Sequence, residues 1–143
     1  MKTINPSELS PMQVQMILQT AVSPRPIALA STIDKNGNVN LSPFSFFNLF
    51  SSNPPILIFS PARRVRDNST KDTLHNVLEV PEVVIGNVNF DIVQQVSLSS
   101  TEYETGVDEF IKSGLTKKPS ELVKPPLIAE SPVNFECKVI EVK

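Results

Sequence analysis

The 143-residue chain holds one cysteine, one histidine, one tyrosine, four glycines and no tryptophan. With Cys137 alone, no intramolecular disulfide can form, and a zinc site built from several thiolates is excluded within one chain. With His75 alone, His-rich metal sites fall away. No Ser-His-Asp set can be defended either, because nothing fixes the partners of a single histidine. The few glycines leave no strand followed by a Gly-rich fingerprint, so a doubly wound dinucleotide fold has no support. Apolar runs extend over only a handful of residues, such as Ile56 to Phe59, whereas a spanning helix needs roughly 20. The start, Met1-Lys2-Thr3-Ile4-Asn5-Pro6, has no apolar core of secretory type, and the cytoplasm is the expected compartment. An excess of charge is missing too. Lys plus Arg number 13 against 15 for Asp plus Glu, a formal charge of -2, which argues against nucleic acid or an anionic membrane as partner.

Proline is what the chain has in plenty. Its 13 residues are about twice the usual share of roughly 5%, so stops and extended corners are expected throughout. The 40% hydrophobic and 20% charged composition is that of an ordinary globular chain, and the length fits one domain over residues 1–143. Asn5-Pro6 and Ser10-Pro11 read as helix starts, a capping side chain before a proline at the first helical position. Met12, Ile17, Leu18 and Val22 then give a loosely amphipathic helix to about Thr20, which Ser23-Pro24-Arg25-Pro26 stops. Strands are expected over residues 27–33, 39–42, 56–59, 83–88 and 133–142, the first two joined by a turn at Asp34-Lys35-Asn36-Gly37-Asn38. Helices are expected over 70–79, 91–98 and 107–113. The order β-β-β-α-β-α-α-β predicts a mainly β fold, an antiparallel barrel or sheet with helices at its rim. A barrel of five strands is small, so the chain reads as truncated at its C-terminal end or as completed by a partner chain.

Two segments carry the chemistry. Four of the eight phenylalanines, Phe44, Phe46, Phe47 and Phe50, lie within residues 41–55, interleaved with Ser45, Asn48, Ser51, Ser52 and Asn53. A flat, polar-edged heterocycle wants apolar cover on its faces and donors and acceptors at its rim; a hydrophobic loop packed on the core is the plainer reading. The second segment places Arg63, Arg64, Arg66 and Lys71 within nine positions of an acidic chain. Ser69 or Thr70 can cap a helix beginning near Lys71, whose unpaired first-turn amides favour an anion; a solvated loop with an ordinary cap is the plainer reading here. Together the two segments point to a phosphorylated flat cofactor. Arg25 and the Ser31-Thr32 hydroxyls flank the first strand. His75 reads as a helix-surface residue, Cys137 as a small buried hydrophobe, and the stretch with Glu102, Glu104, Asp108 and Glu109 as a solvated helix entry.

The strings Ser23 to Thr32, Gly37 to Asn48, Asn53-Pro54-Pro55 and Lys71 to Asn76, in that order, resemble the flavin reductase-like family. The resemblance covers about residues 20 to 140. It implies an FMN-binding split barrel of six antiparallel strands that forms a homodimer, with FMN near the dimer interface. By similarity, Ser31, Thr32 and the Ser45-Phe46-Phe47-Asn48 loop would line the isoalloxazine and ribityl chain. Lys71, Asp72 and Thr73 would hold the phosphate, and Arg25 would lie near the flavin or the nicotinamide donor. The implied reaction is hydride transfer from NADH or NADPH to flavin N5. It needs no protein acid or base, in keeping with a chain that offers no convincing set. Two other readings stand beside it. One is a flavoredoxin-like electron carrier reduced by a protein partner, without its own NAD(P)H site. The other is a module without flavin, in which the Phe-rich segment is a dimer surface.

Overall fold

The computed structural model describes residues 3–61, 69–104 and 106–143. Both proline-led helix starts form. Asn5 Oδ1 accepts from the Ser7 amide and opens a 3-10 turn, Pro6–Glu8. Ser10 Oγ accepts from the Gln13 amide while Gln13 Oε1 accepts from the Ser10 amide, a capping box that opens α1, Pro11–Ala21. No residue of α1 is buried, so its apolar side chains do not serve the core.

The chain then folds into β1 (Ala28–Ile33) and β2 (Val39–Phe44). The expected turn joins them. Asp34 Oδ1 accepts from the Asn36 and Asn38 amides, each at 2.8 Å, and Gly37 takes φ +91, a backbone state that a Cβ would strain. Next come β3 (Phe47–Ser52), β4 (Pro55–Phe59), α2 (Asp72–Glu79), β5 (Glu82–Asn87), a 3-10 turn at Phe90–Ile92, and α3 (Val93–Ser99). The chain continues through α4 (Glu109–Ser113), β6 (Lys117–Lys118), β7 (Leu127–Ile128) and β8 (Asn134–Lys138). Every strand pairing among the described residues is antiparallel: a four-stranded sheet in the order β2-β1-β5-β8, a β3–β4 ribbon and a short β6–β7 ribbon. The fold is thus mainly antiparallel β with flanking helices, as expected.

Side chains alternate across the sheet, and each face has its own cover. On one face Leu29, Leu41 and Val84 pack with Ile92, Val96, Phe110, Leu115 and Ile128, all buried. The helical segments and β7 supply that cover. On the other face Ala28, Ala30, Phe44, Val83 and Ile85 meet Phe47, Leu57 and Phe59 of the β3–β4 hairpin, with Cys137 and Val139 alongside. Gly86 lets the 128–131 turn close on β5, since a Cβ there would stand 3.0 Å from both Ile128 Cδ1 and Ser131 Oγ.

Several expectations need correction. Residues 47–52 form a strand, not part of a Phe-rich loop. A register shift between Leu49 and Ser51 places Phe50 in a bulge, which breaks the alternation that would have announced the strand. The last strand ends at Lys138 rather than at Val142. The helix expected over 91–98 begins as a 3-10 turn, and the one expected from Val107 begins at Glu109, capped by Asp108. The second helix begins at Asp72 with Lys71 in the capping position and no side-chain cap; Thr70 Oγ1 bonds His75 Nε2 instead, at 2.7 Å.

Candidate functional site

Strand register decides which residues share the hairpin face, and it separates Thr32 from Ser31. Thr32 stands opposite Asn40, and Ala28 opposite Phe44, so Ala28, Ala30, Thr32, Asn40, Ser42 and Phe44 share one side of the β1–β2 pair. Phe44 stacks on Phe59 of the hairpin, ring centroids 5.3 Å apart. The Lys71 ammonium, at the start of α2, lies 5.0 Å from the Phe44 ring centroid, within range of a cation–π contact. The Phe-rich segment and the opening of α2 are therefore neighbours on one face, joined through Phe44. Arg63, Arg64 and Arg66 lie outside the described residues.

Two buried pairs hold α2 down at this place. Asn40 Nδ2 donates to Thr73 Oγ1 at 3.0 Å, and Asn76 Nδ2 donates to Thr32 Oγ1 at 3.1 Å. Thr32 and Thr73 are each at most 1% exposed. Ser31 points to the opposite face, beside Leu41 and Val84, where its buried hydroxyl has no partner among the described residues. Ser45 is half-buried and Phe46 exposed. Phe47 packs on the sheet, while Asn48 is exposed and its Oδ1 accepts from the Leu49 amide. Arg25 closes the end of α1, its Nη1 donating to the Gln19 and Val22 carbonyls at 2.6 and 3.1 Å. Its guanidinium sits 6.0 Å from the Phe46 ring.

Negative charge collects on the far side of Lys71. A cavity of about 30 Å³ at the β2 edge is lined by Asn40, Ser42, Lys71, Asp72, Glu102, Tyr103 and Glu109 among others. Glu109 is buried, and its Oε2 accepts from the Leu41 amide at 3.0 Å, satisfying the exposed edge of the sheet. Burial pushes the Glu109 carboxyl up; the Leu41 amide opposes this, and Asp72 and Asp108 add to it. Three carboxylates, Asp72, Glu102 and Glu109, line this small cavity beside Lys71 and disfavour an anion within it. The Phe44 side of Lys71 offers aromatic cover and a cation together, which is the donor set that a flat ring with an anionic tail requires. In chemical type these residues suit a flavin with an anionic tail, although Phe44 itself is buried. A larger groove of about 440 Å³ lies apart, between the N-terminal turn, α1 and Phe46. Neither hollow encloses both Phe44 and Phe46.

The flavin reductase-like domain model matches residues 20–143. The chain belongs to the flavin reductase-like family. A protein of Aquifex aeolicus is 44% identical over 118 residues, which are 82% of this chain and 60% of that protein. Among solved structures, nitrilotriacetate monooxygenase component B from Bacillus cereus superposes with a TM-score of 0.92 at 28% identity, covering 99% of this chain and 69% of that one. The 2-nitrobenzoate 2-nitroreductase of Pseudomonas fluorescens superposes with a TM-score of 0.84 at 29% identity, covering 96% and 64%. The chain spans 60–65% of the length of several curated relatives that it matches. The sheet, the β3–β4 ribbon and the rim helices are those of the split-barrel fold of flavin reductases. Within this family member, sequence reasoning missed Phe59, Glu109, and the amides of Asn40 and Asn76 that fix α2. Alternation in β2 was the available signal for Asn40, Ser42 and Phe44; no sequence signal joins Glu109 to Leu41. No helix among the described residues is long and apolar enough to cross a membrane.

Proposed function

We propose that the protein is an FMN-binding, NAD(P)H-dependent flavin reductase, working in the cytoplasm as a homodimer built from single-domain chains. The observation that carries the proposal is the Lys71 ammonium over Phe44, where the opening of α2 meets the hairpin face. A bound flavin would supply the two-electron chemistry, with a reduced nicotinamide as hydride donor. The chain's own residues bind and orient. Lys71 and the backbone amide of Thr73, at the opening of α2, hold the phosphate, the Thr73 hydroxyl being buried against Asn40, and Asp72 keeps that anion on the Phe44 side. Phe46, Phe47, Ser45 and Asn48 bound the ring, while Thr32 acts by fixing α2. Arg25 contributes from the flank by holding Phe46, whereas Ser31 lies buried on the opposite face of the sheet and stands outside this arrangement.

Within one protomer this face stays open, which favours completion by a second copy. The surfaces for it are at hand. The hairpin exposes Leu49 (62%), Phe50 (71%) and Ile58 (49%), and α1 exposes Met12 (72%) and Met16 (62%). An apolar surface of this kind marks an interaction site. The test is a purified full-length protein mixed with FMN and then with NADH or NADPH. Binding of FMN followed by nicotinamide oxidation supports the proposal. Binding without reduction by either nicotinamide gives the flavoredoxin-like carrier instead, and no flavin binding overturns both.

A further inference from the structure

Thr32 and Asn40 face each other across the β1–β2 ladder. Thr73 and Asn76 lie three residues apart in α2 and so share its sheet-facing side. The two amide-to-hydroxyl bonds between these pairs make a closed buried quartet that grips the helix at two points one turn apart. One such bond would let α2 pivot; two fix its rotation and its advance along the sheet. All four side chains are at most 8% exposed, and each unpaired group would stand without water. The other ties of α2 are buried Val77 and Val80, whose apolar contact is not directional, and Glu79, which takes the Lys35 amide and ammonium at the end of the helix away from Lys71. We propose that Asn40 and Asn76 are positioning residues for the flavin site, setting where the first turn of α2 and the Lys71 ammonium stand relative to Phe44. They touch no ligand and act through Thr73 and Thr32. The inference rests on the proposed phosphate contact at Lys71.

Its test compares FMN with riboflavin, which has the same ring and no phosphate, by flavin-fluorescence titration of wild type, Asn40→Ala and Asn76→Ala. Thermal melting is recorded in parallel. Wild type is expected to prefer FMN by about tenfold or more, the effect of a charge-assisted contact. Each variant is expected to lose most of that preference while its riboflavin affinity stays within about twofold, well under the tenfold of one charge-assisted contact. Asn76→Ser, which leaves a smaller hydrogen-bonding group at this position, is the milder second variant and should lose less. Lower melting temperatures with the full FMN preference retained would overturn the inference and make the quartet structural only. A wild type without any FMN preference would instead overturn the phosphate contact itself, and the inference with it.

Discussion

The two faces of the four-stranded sheet are built to opposite ends. On the helix face, Leu29, Leu41 and Val84 lie under side chains that are themselves buried, Phe110 and Ile128 among them. On the hairpin face the sheet offers small or aromatic residues, and the cover is half-buried Phe47, Leu57 and Phe59, with Leu49 and Phe50 left to solvent. A face sealed on both sides has nothing to bind; it holds the fold. A face with partial cover leaves apolar side chains such as Leu49 and Phe50 at its surface, where the proposed ligand and partner would meet the chain. On that proposal, one side of β1 serves stability and the other recognition, one residue apart in the strand.

The largest test of this division is Phe110→Ala. Phe110 is 1% exposed, and its truncation should cost about 3–5 kcal/mol in urea unfolding. Flavin affinity of the folded fraction should stay as in wild type. A large loss of affinity without loss of stability would erase the contrast. Phe50→Asp works on the other face. Its side chain is mostly exposed in one protomer, so monomer stability should change by less than about 0.5 kcal/mol. Light scattering should nonetheless find the dimer dissociated at micromolar concentration.

Glu109 sharpens the comparison at the β2 edge. Burial raises its carboxyl pKa in the folded chain. A group raised on folding contributes its stability below the unfolded pKa, and the contribution is lost as pH rises through the folded value. Glu109→Gln should therefore match wild type at acid pH and melt higher near neutral pH. Equal melting temperatures across that range would remove the buried charge as a cost to the fold. The smallest effect is expected for Asn48→Ala, which should shift flavin affinity by a few-fold, about 1 kcal/mol or less. The exposed Glu104→Ala should leave flavin affinity unchanged, and equal effects of the two would take Asn48 out of the site.

What the sequence made legible were features written locally. Proline after a capping residue set both N-terminal starts, and Asn36-Gly37 set the first hairpin. The apolar run at 83–85 set the strand that β1 and β8 both flank. The β3 strand was hidden because its bulge at Phe50 breaks the two-residue period and its tip keeps apolar residues in water. The two-residue strands β6 and β7 are too short to carry any period. In the site, the chemistry of each segment was readable, but not that Phe44 would bridge them. That depends on β2 register and on how α2 docks. Ser31 and Thr32 look alike in the sequence and fall on opposite faces, and only pairing with β2 and β5 decides which is which. The start of α2 differs because Lys71, whose side chain makes no capping hydrogen bond, occupies the capping position.

Lys71→Ala, titrated with FMN beside the wild type by flavin-fluorescence quenching, tests the central claim most directly. A saturable wild-type curve and an affinity loss of about 1.5–3 kcal/mol in the variant, the range of a charge-assisted hydrogen bond, are the results expected. Superimposable curves for the two proteins would contradict the placement of a flavin phosphate at the opening of α2.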